Sequence, residues 1–201
     1  MLVASESTSK KPTPIEAGAY VARCVQILDL GDQYNEMSGK WARKTMLTFE
    51  LPTERIDVNG ESKPKLMSKT YTLSLNEKAT LRKDIESWFG RQLAGTDFPF
   101  DIRAMVGVPC LLTIVARKSK NGNEYSAIGG IGKPMKGVPV PEQETPSFIF
   151  DLDADDALEQ VEKLPEWIQK TIKESPSYKS LVKDKDEESD VPVINADDLP
   201  F

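Results

Sequence analysis

"TYTLSLNEKATLRKDIESWFG", Thr70 to Gly90, changes its period halfway through. In the first half Tyr71, Leu73 and Leu75 fall on one side, the two-residue alternation of a β-strand. From Asn76 onward Leu81, Ile85, Trp88 and Phe89 recur at helical spacing, Asn76 can cap the helix, and Gly90 can terminate it in a left-handed conformation. A strand therefore runs into an amphipathic helix of about three turns. The fold is decided by how many strands stand on each side of that helix.

Upstream, "AYVARCVQILDL" (Ala19 to Leu30) reads as a long strand and "GDQYNEMSGK" (Gly31 to Lys40) as a loop marked by its Gly, Asp, Asn and Ser residues. "WARKTMLTFEL" (Trp41 to Leu51) is a second strand, with Thr45, Leu47, Phe49 and Leu51 on one face and Lys44, Met46, Thr48 and Glu50 on the other. Asn59-Gly60 is a hairpin signal, and the third strand follows from Pro64 to Leu75, with Met67, Lys69 and Tyr71 sharing the side of Leu73. Downstream, "FPFDIRAMVG" is a connector with one helical turn packing Ile102 and Met105. "PCLLTIVARKS" (Pro109 to Ser119) and "EYSAIGGIG" (Glu124 to Gly132) are a fourth and fifth strand joined across "KNGN".

The order strand, strand, strand, helix, strand, strand is that of the OB-fold, a five-stranded, partly open barrel that binds oligonucleotides across strands two and three, between the loops joining strands one to two and four to five; other small antiparallel barrels and sandwiches can share it, and the OB-fold is the expected one. The expected class is mainly β with α. Three regions should then carry the chemistry. The first loop and its exit supply Tyr34, Lys40, Trp41, Arg43 and Lys44; the third strand supplies Lys65, Lys69 and Tyr71; the last hairpin supplies Arg117, Lys118, Lys120 and Tyr125. Each interleaves cations with an aromatic ring, the combination in which charges follow phosphates and rings stack on unpaired bases at about 1–3 kcal/mol per base. Packing offers a competing account for some of them. Trp41 has the parity of Leu47 and Phe49 and fits the core as well as a stacking role, Tyr71 has the parity of Leu73 and points to the core, and Tyr34 has no apolar neighbour to bury it.

Composition narrows the function classes. With 201 residues, 39% hydrophobic and 29% charged, the chain holds one well-cored domain with appendages. No apolar run reaches a membrane span or a signal peptide, so a cytoplasmic protein without membrane contact is expected. There is no histidine, and the two cysteines, Cys24 and Cys110, lie in separate apolar segments, so no zinc pattern, disulfide framework or imidazole base is available. "GKPMKG" is not a phosphate loop, and the carboxylates Asp151, Asp153, Asp155 and Asp156 read as charge at a helix start. Neither an enzyme nor a cofactor is expected. Residues 1–137 carry 20 Lys/Arg against 15 Asp/Glu, while residues 138–201 carry 6 against 17. The body is basic and the tail acidic, an arrangement suited to a polyanion.

The domain reading is a flexible leader over 1–14, a nucleic-acid-binding barrel over 15–135, a Pro-rich linker and helical extension over 136–182, and a disordered acidic tail over 183–201. In the extension Leu158 and Val161 precede a break at Pro165, and Trp167, Ile168 and Ile172 follow it. Whether this segment covers the barrel or a partner is left open by its composition.

The chain ends "NADDLPF". Asp197, Asp198, Leu199, Pro200 and Phe201 resemble the acidic tip of bacterial single-stranded DNA-binding proteins. The resemblance implies that Phe201 enters an apolar pocket on a replication or repair protein, with its carboxylate held by a basic residue. A ring, a free carboxylate and a run of charges also make a portable docking peptide on physical grounds. The body is similar, more loosely, to proteins of tailed-bacteriophage replication modules. The expected function is sequence-tolerant binding of single-stranded DNA in phage replication and recombination, with the tip recruiting partner proteins; a homo-oligomer is compatible with it. The alternative is a protein-binding adaptor or recombination mediator whose barrel binds no DNA.

Overall fold

The computed structural model describes residues 14–36 and 38–189; most of the expected leader, and the tip formed by Asp197, Asp198, Leu199, Pro200 and Phe201, lie outside the described residues. β1 (Gly18–Asn35), β2 (Lys40–Val58) and β3 (Glu61–Thr72) form a meander, α1 (Thr80–Phe89) follows, and β4 (Pro109–Lys118) and β5 (Glu124–Gly132) make a second hairpin. β1 pairs antiparallel with β4 through its first third and with β2 through the rest, giving the sheet order β3-β2-β1-β4-β5. A strand shared in this way bends the sheet on itself, and the result is a curled, barrel-like antiparallel sheet.

Its inner face is the first core. Ala22, Cys24 and Ile27 from β1, Leu47, Phe49 and Leu51 from β2, Leu112 and Ile114 from β4, and Ile128 and Ile131 from β5 close around Leu81, Ile85 and Trp88 of α1. Trp88 is 2% exposed, and its indole N–H donates to the Pro109 carbonyl at 2.7 Å, so the ring is buried without leaving a polar atom unpaired. Truncating a ring so placed costs about 3–5 kcal/mol.

Turn and helix-end chemistry accounts for most boundaries. Asn59 (φ 56°) and Gly60 (φ 84°) take the left-handed conformations that a two-residue hairpin turn needs. Gly90 ends α1 at φ 67°, its N–H returning to the Glu86 carbonyl. Asn76 differs from expectation: its side chain accepts from Lys78 N–H and its carbonyl from Ala79 N–H, so it caps a turn ahead of α1, whose own N-cap is Ala79. β1 also runs past Leu30 to Asn35. Gly31, at φ 68°, absorbs a register shift against β2 and lets pairing resume, where the sequence had suggested a loop. A Cβ at Gly31 would lie 2.5 Å from Ser175 Oγ, so the position is closed to any side chain.

The extension builds a second core on the opposite side of the same strands. β6 (Phe148–Phe150) pairs parallel to β1 at Gln26–Leu28, and α2 (Ala157–Val161), α3 (Glu166–Lys173) and α4 (Pro176–Ser189) follow. Phe150, Leu152, Ala157, Val161, Leu164, Ile168 and Ile172 bury Leu28, Leu30 and Met46. The segment thus packs on the barrel. Composition predicts a poorly packed linker before β6, but Arg23 Nη2 donates to the Pro141 carbonyl at 3.1 Å and Arg55 grips Glu144 through both terminal nitrogens. α4 continues to Ser189, past Lys183 where charge density had suggested the start of the tail. Among the described residues no helix is long and apolar enough to cross a membrane.

Candidate nucleic-acid interface

The end of the β1–β2 hairpin carries the clearest surface feature. Tyr34 and Trp41 face each other in register, 53% and 56% exposed, with ring centroids 5.4 Å apart and planes inclined at 58°. Parity had left Trp41 between core and surface. It is exposed because the hairpin outruns the core: everything from Lys40 to Lys44 lies beyond the last fully buried side chains of β2. Lys40 is exposed beside the rings, and Lys44 Nζ donates to Thr72 Oγ1 at 2.6 Å. Both keep their charge free of any acidic partner among the described residues. Arg43 is different. Asp29 and Asp153 (2.8 Å) hold its guanidinium, and these contacts, the Asp29 hydrogen bond foremost, push its pKa further up. Arg43 fastens the hairpin to the extension and offers little to a phosphate.

The β3 row is similarly committed. Tyr71 is 3% exposed and belongs to the first core. Its hydroxyl donates to Asp84 Oδ2 at 2.8 Å, and Lys69 Nζ reaches the same oxygen at 2.7 Å while lying 5.1 Å from the Tyr71 ring centroid. Burial first, and the Asp84 charge second, raise the Tyr71 pKa, so the group stays a hydrogen-bond donor. Neither residue is placed to stack or to follow a backbone. Lys65 lies 3.9 Å from Glu54 and lines a groove between β3 and β5 together with Ile15, Ile56, Leu66, Met67 and Tyr125.

That groove joins two predicted regions. Tyr125 is 46% exposed and pairs in register with Arg117 on the β4–β5 hairpin. Arg117 and Lys120 are exposed with no ion-pair partner among the described residues, whereas Lys118 has Glu124 at 3.7 Å. The Tyr34–Trp41 pair is elsewhere, since β1 meets β4 at Gly18 and turns into β2 at Asn35. The sequence-derived residues therefore form two surface groups near opposite ends of β1, with Arg43, Lys69 and Tyr71 in structural roles.

Between the groups, the outward side of β2 is covered. Met46 and Thr48 are each 4% exposed and Glu50 is fully buried. Glu50 accepts backbone N–H bonds from Glu144 at 3.1 Å and Thr145 at 2.5 Å. Of the expected two-strand surface, only the β3 side remains open, with Leu66, Ser68 and Thr70 exposed. Nothing in the alternation of Lys44, Met46, Thr48 and Glu50 signals a second layer, because the covering chain lies about a hundred residues away in sequence.

Sequence reasoning also passed over Trp167, which is 62% exposed. It sits one position off the buried stripe of Ile168 and Ile172, on the side of Lys170 and Thr171; sorting those residues by helical position would have found it. A cleft of 460 Å³ with an apolar floor is ringed by Asp29, Arg43, Asp101, Arg103, Asp151 and Asp153, in which each arginine is already bridged by two carboxylates. Among the described residues no group of three or more Asp, Glu or Cys is placed to hold a metal ion. Burial pushes the Cys24 thiol up to about 12 and raises Cys110 as well, as expected of packing residues. No protein-family model matches the chain, and no curated protein matches it.

Proposed function

We propose that the protein binds single-stranded DNA with little sequence preference through an OB-type barrel, and that its acidic tip recruits replication or repair proteins in a phage-infected cell. The observation that carries this reading is the exposed Tyr34–Trp41 pair, with the exposed Lys40 next to Trp41 in the chain. Two rings left in water at the end of a hairpin do nothing for the core, and each offers a face to an unpaired base at about 1–3 kcal/mol. Arg117, Lys120 and Tyr125 at the other hairpin supply a second foothold. The terminal Asp197 to Phe201 motif supports the recruitment half through its resemblance and its chemistry.

The test is fluorescence anisotropy of labelled oligo-dT at two salt concentrations, with duplex DNA and RNA as competitors. Salt-weakened binding that duplex cannot displace is expected, with a log–log slope near −0.7 per phosphate contact. Trp41→Ala should weaken it about 5- to 150-fold, the equivalent of one lost stacking contact. Absence of binding at low salt, for full-length and tailless protein alike, would refute the reading. The covered outer side of β2 favours a second one, an adaptor or recombination mediator that binds protein, and that result would select it.

A further inference from the structure

The three most exposed tyrosine and tryptophan rings of the described residues are Trp167, Trp41 and Tyr34, at 62%, 56% and 53%. Two sit on the hairpin and one on α3, and the fold ties these elements together at the end of β1. Gln33, the neighbour of Tyr34, donates through Nε2 to the Leu30 carbonyl at 2.7 Å and to the Thr171 carbonyl at 3.0 Å. Asp32 receives the Ser177 hydroxyl at 2.6 Å and donates its own N–H to the same oxygen at 3.0 Å, which fixes the α3–α4 junction against the strand. Thr171 is one helical turn from Trp167, and its hydroxyl donates to the Trp167 carbonyl at 2.9 Å. One turn of helix, one glutamine side chain and one residue of strand link the two aromatic elements, about 15–20 Å along that path; Tyr34 takes the opposite face of the strand from Gln33, so a bound strand passes around the hairpin edge to reach α3. That span fits within the footprint of roughly 4–16 nucleotides typical of such barrels.

The surroundings of Trp167 suit a strand that arrives from the hairpin. Lys170 is exposed one turn along α3 from Trp167, and Lys163 is exposed in the connection ahead of the helix. The nearby Glu162 is engaged by Lys173 at 2.5 Å, and Glu174 lies 3.9 Å from Lys170, which leaves Glu166 as an opposing charge. Ile168 and Ile172 anchor α3 in the second core, so the helix needs nothing from the Trp167 ring.

Resting on the single-strand reading, we infer that Trp167 is a further stacking position, and that the bound strand leaves the barrel hairpin and continues onto the helical extension. The extension is then part of the binding surface as well as a cover for β2.

The chain's three tryptophans make this separable by optics, because Trp88 is only 2% exposed and insensitive to a surface ligand. In full-length Trp41→Phe protein, the intrinsic fluorescence that (dT)16 quenches comes from Trp167. Residual quenching is expected, and adding Trp167→Ala should abolish it. In the wild-type background, Trp167→Ala should weaken (dT)16 about 5- to 150-fold by anisotropy, leave (dT)4 unchanged, and be largely rescued by Trp167→Phe. If Trp41→Phe protein binds (dT)16 with no quenching, or if Trp167→Ala leaves its affinity unchanged while Trp41→Ala reduces it, the inference fails and the single-strand reading stands. If wild-type protein binds neither oligonucleotide, both fail.

Discussion

Replacing Glu50 with Gln tests whether one buried carboxylate latches the chain around residues 143–147 to the sheet. Glu50 is fully buried, and its two oxygens each accept a backbone N–H, from Glu144 at 3.1 Å and from Thr145 at 2.5 Å. Gln retains one acceptor and turns an NH2 toward the other N–H. One charge-assisted bond, contributing about 1.5–3 kcal/mol, is lost, and the other falls to the 0.5–1.5 kcal/mol of a neutral pair. An amide is easier to desolvate than a carboxylate, which works in the opposite direction. The sign is set by the two N–H donors, which no substitution at position 50 removes. The expected net loss is about 2–4 kcal/mol, and in a chain of this length each kcal/mol lowers Tm by roughly 2–4 °C. Arg55 still grips Glu144 in the variant, but that pair is exposed and contributes little. Calorimetry and guanidinium denaturation give the stability, and limited proteolysis between Lys133 and Ser147 reports whether the latch opens first. A variant within 0.5 kcal/mol of wild type, with an unchanged cleavage rate, would show that the carboxylate does not hold this segment.

Three further outcomes follow from other contacts. Arg91 beside Asp97, with help from the Ala94 N–H, lowers the Asp97 carboxyl from 3.8 to about 2. A lowered acid stabilises the fold fully above its unfolded value near 3.8 and loses that contribution as pH falls through about 2, so carboxyl NMR of Asp97 should titrate near 2; a midpoint near 4 would mean that the pair does not form in solution. Cys24 and Cys110 should resist a thiol reagent at pH 8 in native protein and react together in guanidinium, since both are buried with raised pKa values; rapid labelling of the native protein would contradict the packing of the first core. Phe201→Ala should leave oligo-dT affinity intact while eliminating capture of replication proteins, and equal capture by both forms would remove the docking role of the tip.

The sequence carried the strand order because its signals are local. Alternation in β2, Asn59-Gly60 between β2 and β3, and the Leu81, Ile85, Trp88 stripe closed by Gly90 each depend on a few neighbouring residues. Gly31 misled because a glycine that opens a loop and a glycine that forms a bulge look the same until pairing resumes beyond it. The site was half legible. Interleaved aromatics and cations picked out two hairpins whose rings are exposed, but alternation alone does not tell a solvated lysine from one held, as Lys69 is, by Asp84. The cover over β2 was invisible for a related reason: Glu50 reads as a solvent residue, and the N–H groups that it satisfies belong to a distant segment.

Ile27 belongs to the first core and its neighbour Leu28 to the second, so one turn of the pleat in β1 commits both. While the chain emerges from the ribosome, the inner face can close once β5 has been made, but the cover of Leu28, Leu30 and Met46 begins only with Phe150 and is complete only with Ile168 and Ile172. For that interval the nascent protein carries an apolar strip of its own, on the very strands that later support both aromatic elements. A boundary drawn at Met135 on composition would make the interval permanent: the shortened chain would keep its barrel residues and expose the strip, a surface prone to self-association.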